Sequence, residues 1–509
     1  MAISRPAHLL TPSRAGVLLA LLTAAVIAAP VYPINLVLIP AIAFGIALLL
    51  HPMLAPVILI FSVPVQDVGG VMMGGASVTG TRLALVAVIA ALALQLPTRG
   101  ERLRGTWLLA PFGLYLSAIL LSLLGARQLS PGVDVFYQWG VTIFALVLTL
   151  YAVRTPRQAL LLVAVMGAGA AAEAFLGLVQ GLGNLGPASY AITSHVSRAF
   201  GTFGMPNSYA GYLEMTTPLL AVVALWSLAR TYADWLRYRQ ARVFGMAGSQ
   251  SDRRRLVRGA ALSAWLALAA LLGFAGIVMS FSRGAWLGFA AGGLAMLLVS
   301  GRRASLVAAA AIIFAGLVFA AGGVHYAPAA IQDRYHQLTS QLTYFNSNDV
   351  LLTDENFAAV ERMAHWQTGI AMFLAHPLSG VGAGNFNGRF ADFAVNPAFT
   401  VSRGHAHNYY IQAAAETGSI GLISYLLLIT GALLVCFRSA REAPTGLGRA
   451  LGVGAVGVTV AVMVHNVVED LHVLNLGIQL SAVWALAIIG WRFLPAGAGD
   501  APRAEAGEN

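Results

Sequence analysis

Residues 259–281 read GAALSAWLALAALLGFAGIVMSF, a run without one ionisable side chain. A helix rises about 1.5 Å per residue, so this run alone covers roughly the 30 Å hydrocarbon thickness of a bilayer. Similar runs recur along nearly the whole chain. Stretches of about 17 to 25 predominantly apolar residues give fourteen candidate helices. They lie near 15–31, 34–50, 53–66, 81–97, 107–124, 133–152, 158–182, 207–229, 259–281, 284–300, 304–322, 410–437, 450–468 and 473–491. The third is short and proline-rich. The expected fold class is therefore an all-α polytopic membrane protein with about 12–14 transmembrane helices and a large external loop before the last three.

Composition agrees. Of 509 residues, 58% are hydrophobic and only 10% charged, far too few charges to cover a soluble protein of this length. The single cysteine, Cys436, excludes an internal disulfide and a cysteine-rich metal centre. Arg5 and Arg14 before an apolar stretch ending near Ala29 imitate a signal peptide. With so many spans following, this stretch reads as the first membrane helix.

The formal charge of +10 resembles a nucleic-acid signal until the 30 basic residues, all arginine, are mapped. With the N-terminus in the cytoplasm and the sides alternating, only Arg82, Arg127, Arg198, Arg283, Arg334, Arg362, Arg389 and Arg403 fall outside. The other 22 fall inside, as the positive-inside rule requires. The basic charge thus reports orientation rather than nucleic-acid binding. Both termini are expected in the cytoplasm, and the segment Arg230–Arg258 is suited to anionic lipid heads. The expected division is 1–182 N-terminal helices, 183–322 central helices with outward arginine motifs, 323–409 a large extracytoplasmic loop, 410–495 C-terminal helices, and a disordered polar tail at 496–509. Within the loop, Asp354–Ala375 has helical character, with Phe357, Val360, Ala364, Ala371 and Leu374 near one face. The turn-rich Gly380-Val381-Gly382-Ala383-Gly384 follows.

Arginines on the disfavoured side invite a functional reading. Arg283 sits in Phe281-Ser282-Arg283-Gly284-Ala285-Trp286, a tight outer turn. A guanidinium there suits a lipid-linked diphosphate, which it can grip bidentately; the plainer alternative is an interfacial arginine snorkelling beside Trp286. Arg198 lies in Ser197-Arg198-Ala199-Phe200-Gly201-Thr202-Phe203 and Arg362 four residues before Trp366; for both, an ordinary ion pair is the alternative. In His405-Ala406-His407-Asn408-Tyr409-Tyr410-Ile411-Gln412, continuing to Glu416, a polar stripe of Asn408, Gln412 and Glu416 marks one face of the twelfth helix. A histidine at its mouth suits a general base, or a structural hydrogen bond. His405 and His407 lack a further metal ligand nearby in sequence, so no metal is expected. Glu173 and Glu214 lie inside predicted helices and are expected to partner outward arginines such as Arg198, or to make an interhelical hydrogen bond. His465-Asn466 and Glu469-Asp470 are weaker candidates for the same cavity.

Taken together, Arg198 with Gly201-Thr202-Phe203 and Pro206-Asn207, Ser282-Arg283-Gly284, Arg362 with Trp366, His376-Pro377 before the glycine turn, and His407-Asn408 with Glu416, Gly418 and Gly421 resemble the O-antigen ligase and O-antigen polymerase superfamily. The likeness spans roughly residues 195 to 425; the N-terminal helices match in hydropathy alone. It implies transfer of a glycan from an undecaprenyl-diphosphate carrier to an acceptor hydroxyl, on the outer face of the cytoplasmic membrane and without a cofactor. It casts Arg198, Arg283 and Arg362 as diphosphate ligands and His407 as the base. Asn408, Glu416, Glu214 and Glu173 are expected to support them. Converging guanidinium groups can stabilise the leaving diphosphate as a metal would, and one displacement with inversion is the expected route. The prominent His-Asn to Glu-Gly stretch favours a ligase, with lipid A-core or a similar acceptor. A polymerase of the same superfamily and a protein O-glycosylating member remain alternatives. A secondary transporter for a small anion is less favoured, because the polar clusters gather at the outer face and no internal repeat is evident.

Overall fold

The computed structural model describes residues 106–244, 250–320, 344–353 and 356–493, with parts of 48–93. The first candidate span, the second apart from Leu48, and the tail lie outside the described residues, and the fourth is described only in part. Among the described residues the protein is all-α apart from a short antiparallel pair, Val71–Met73 with Ala76–Val78. The helices are α1 (Leu54–Ser62), α2 (Leu109–Ser122), α3 (Leu129–Ala152), α4 (Pro156–Leu182), α5 (Pro206–Glu214), α6 (Thr217–Val243) and α7 (Gln250–Met279). There follow α8 (Arg283–Ser300), α9 (Arg302–Ala320), α10 (Phe357–Ala375), α11 (Phe386–Phe393), α12 (Tyr409–Glu442), α13 (Gly446–His465) and α14 (Leu476–Arg492). Among the described residues, seven helical stretches are long and apolar enough to cross a membrane, with α5 and α6 counted as one.

Capping residues set several helix starts. Thr155 accepts from the Gln158 amide in a capping box, Ser282 from Ala285, Asn408 from Tyr410 and Ile411, and Thr445 from Gly448. Each satisfies amides that the first turn leaves without intrahelical partners. The span expected at 207–229 is broken between α5 and α6. Pro218 has no amide to donate and its ring crowds the preceding turn, so the chain restarts at Thr217.

At the centre stand α13 and α14, apolar on every face and therefore buried among other helices rather than against lipid. Every residue from Leu476 to Gly490 is buried. Trp484 donates to Thr459 Oγ1 across this pair at 3.0 Å, and Gln479 donates to Thr216 Oγ1 at 2.7 Å beside the break. Small residues let α8 lie close to α13: a side chain at Gly292 would run into the Gly457 carbonyl. That approach carries the start of α8, with Arg283, to the end of α13, with His465.

The helix expected from 354 forms as α10 over Phe357–Ala375, and its buried face includes Val360, Met363, Ala364 and Met372. Leu374, expected on that face, is exposed instead. The glycine turn after α10 rests on α12. Val381 donates to the Ala415 carbonyl at 2.9 Å, Gly382 to Glu416 at 3.0 Å, and Ser419 to Pro377 at 2.8 Å. These bonds need a break in α12, which Gly418 supplies at φ 64°. Gly380, at φ 68°, lies against the backbone of Glu416 and Thr417, where a side chain has no room.

The arginine split predicts which end of the bundle faces which compartment. Single cysteines placed at Asn346 and at Gln250 should be labelled by an impermeant reagent from opposite sides, Asn346 from outside. Labelling of both from one side overturns the orientation.

Candidate functional site

Arg198, Arg283 and Arg362 lie 85 and 79 residues apart in sequence, yet all three line one cavity of about 80 Å³ together with Asn207, Ser282, Gly284, His465 and Glu469. Different elements bring them there. Arg198 follows a loop clasped by an Ala191–Ser197 bridge, and its backbone amide donates to the Tyr190 carbonyl at 2.8 Å. Its side chain donates from Nε to the Ser280 carbonyl at 2.9 Å and from a terminal nitrogen to Asn207 Oδ1 at 3.0 Å. Arg283 is the first residue of α8, so the unsatisfied amides and positive dipole end of that helix face the same space. Arg362 comes from α10, and its Nε is buried without a hydrogen-bond partner among the described residues.

Glu469, between α13 and α14, joins these parts. Asn207 donates to its Oε2. Its Oε1 faces His407 Nδ1 at 3.3 Å and His405 Nε2 at 3.4 Å. Burial pushes the Glu469 carboxyl up. The His407 hydrogen bond and the electrostatic pull of the two facing imidazoles and the Arg362 guanidinium outweigh that and hold it well below the usual carboxylate range. An ionised carboxylate only accepts hydrogen bonds, so Nδ1 of His407 carries its proton and Nε2 remains to take one. Burial drives His405 down to about 4 and His365 likewise to about 4. Asp470 is raised to about 7, mainly by burial.

His407 is held rather than loose. Its φ is +53°, a left-handed conformation that costs a non-glycine residue about 1–3 kcal/mol and persists only where its surroundings impose it. Trp366, on the α10 turn after Arg362, donates to the His407 carbonyl at 3.3 Å. Tyr409 donates its amide to Asn466 and Glu469 carbonyls at 2.9 and 3.2 Å, while its ring packs on Tyr425 and His472.

The remaining expected residues play supporting parts at different depths. Asn408 caps α12. Gln412 accepts from the Ala406 amide at 2.8 Å, and Glu416 from the Phe386 amide at 3.0 Å, so the polar stripe fastens the loop to the helix. Glu173 accepts from the Thr202 amide and hydroxyl at 3.0 and 2.9 Å. Glu214 pairs with His465 Nδ1 at 2.7 Å in a buried contact. For both carboxylates these partners replace the expected outward arginines: Glu173 is held by Thr202, and Glu214 makes the alternative interhelical hydrogen bond, to His465. Glu214 still reaches the cavity indirectly, because His465 lines it.

The sequence reading missed the weight of Glu469 and Asn207. Glu469 also completes with His405 and His407 a group whose donor atoms lie within 4.8 Å of one another, a set that imidazole and carboxylate chemistry allows for a metal. Three guanidinium groups around the adjoining cavity give it surplus positive charge, and Coulomb's law then favours an anion over a divalent cation. At about 80 Å³ the cavity suits a phosphate group, with any attached glycan lying outside it.

No curated protein matches the chain. Residues 268–426, which hold Arg283, Arg362, His407 and the Gly418 break, match the family model described as O-antigen ligase.

Proposed function

We propose that this protein is a ligase-type transferase moving a glycan from a polyprenyl-diphosphate carrier, undecaprenyl diphosphate by resemblance, to an acceptor hydroxyl at the outer face of the cytoplasmic membrane. The observation that carries the reading is the convergence of Arg198, Arg283 and Arg362 on one cavity, beside a carboxylate that orients His407. Arg198, Arg283 and Arg362 neutralise the diphosphate as the anomeric carbon–oxygen bond breaks. His407 takes the acceptor proton through Nε2 while Glu469 stabilises the imidazolium that forms. Attack opposite the leaving diphosphate inverts the anomeric centre. Asn207 ties Glu469 to Arg198, so the donor-binding and proton-accepting halves share one hydrogen-bond chain. Lipid A-core or a similar glycolipid is the acceptor by resemblance.

The test supplies purified membranes with a carrier-linked glycan and, separately, a glycolipid acceptor or a second carrier-linked glycan. Transfer to the glycolipid alone supports the ligase. Chain extension on the carrier assigns a polymerase, and import of a small anion without transfer overturns both. Transfer should also survive a chelator, since the guanidinium groups supply the charge a metal would. Complete loss, restored by one divalent metal, would move the chemistry to the His405, His407 and Glu469 group.

A further inference from the structure

A second, larger cavity lies at the other end of the bundle. It measures about 890 Å³ and is bounded by the start of α4, the cytoplasm-directed half of α6, the start of α7 and the Thr445 cap of α13. Arg157, Arg230, Arg255 and Arg258 approach it from three helices, and Trp226 and Leu262 contribute apolar wall. An adjoining hollow of about 600 Å³ adds Arg254. The α7 backbone links the two ends of the molecule: Met279, at its far end, accepts from Ala199 beside Arg198. From Arg258 to Met279 the helix climbs about 30 Å, one hydrocarbon thickness.

Orientation alone asks that arginines lie on the cytoplasmic side, and scattered ones would satisfy it. It does not ask that they converge on one space with an apolar wall. Among the described residues, Asp234 is the only carboxylate lining either hollow, and it already pairs with Arg237 at 3.2 Å. The side chains of Arg157, Arg255 and Arg258 make no ion pair among the described residues. Volume, charge and wall chemistry match a phosphate-rich head with the root of its acyl chains.

We propose that this cavity binds the head group of an anionic membrane lipid, with a two-phosphate lipid such as cardiolipin favoured over a single phosphodiester. The arginines take the phosphate oxygens, Arg230 being braced over the Trp226 ring at 5.6 Å, and the apolar wall receives the glycerol and first methylenes. The cytoplasmic placement rests on the arginine distribution; the binding itself does not depend on the glycosyltransferase reading.

The test uses the full chain in vesicles of phosphatidylcholine with and without cardiolipin, and measures bound cardiolipin rather than transfer. Wild type should prefer cardiolipin over phosphatidylcholine, and the Arg157→Ala, Arg255→Ala, Arg258→Ala triple variant should lose that affinity by about tenfold to a hundredfold. The corresponding lysine variant, which keeps the charge, should retain most of it, and inorganic pyrophosphate should fail to displace the lipid. Equal binding by wild type and the alanine variant overturns the proposal. So does equal loss in the lysine and alanine variants, or displacement by pyrophosphate as effective as by free cardiolipin, which would assign a soluble polyanion instead.

Discussion

Replacing His407 with alanine should abolish glycan transfer, a fall of about 10²–10⁴-fold, while expression and binding of the lipid carrier stay near wild type. The donor is held by arginines on other elements, so removing the imidazole takes away the proton acceptor and leaves the diphosphate site standing. Glu469→Gln separates orientation from charge. The amide oxygen still accepts from Nδ1, but the anion that steadies the imidazolium is gone. Transfer should therefore fall less than in His407→Ala, with the loss confined to turnover. His405→Ala should be milder still: its ring also contacts Glu469, but burial already keeps it neutral at neutral pH. Equal, small effects from both histidines would leave His407 a structural residue.

Arg283→Ala should cost transfer about 2–4 kcal/mol of transition-state stabilisation, whichever acceptor is supplied. Arg283→Lys keeps the charge and loses the planar fork, so it should fold normally and still be impaired. The position makes the test clean. A cation on the first turn of α8 opposes the helix dipole by about 0.3–1 kcal/mol, so alanine should not weaken the fold through that end. Wild-type transfer by Arg283→Ala would make the residue an interfacial anchor beside Trp286, whose ring lies near Phe281.

Hydropathy alone placed the described spans well, because a bilayer demands long uncharged runs and the chain has few ways to hide a charge in one. It ran one span across the break ahead of Thr217, although Pro218 marks that break in the sequence. The arginines stood out through the side of the membrane that the positive-inside rule predicts for them, a signal independent of distance along the chain. Glu469 was legible only as a weak candidate for the same cavity: it sits 62 residues from His407, and its neighbourhood does not reveal that it faces that imidazole. The carboxylates within the spans show the opposite failure. Glu173 and Glu214 stood out by position, but which polar atom each would meet depends on how α4, α5 and α13 pack, which no local pattern specifies.

The Gly418 break has a consequence for how the protein is made. The amides of Val381 and Gly382 reach carbonyls of Ala415 and Glu416, which the ribosome adds more than thirty residues later. Until α12 has been inserted, the glycine turn has donors with nowhere to go, and His407, at the head of that helix, has no fixed address. A nascent chain halted before Tyr409 holds Arg198, Arg283 and Arg362 but cannot yet seat them around Glu469. Assembly of the arginine-lined cavity is thus a late event in biosynthesis, completed only when the C-terminal hairpin of α13 and α14 joins the bundle.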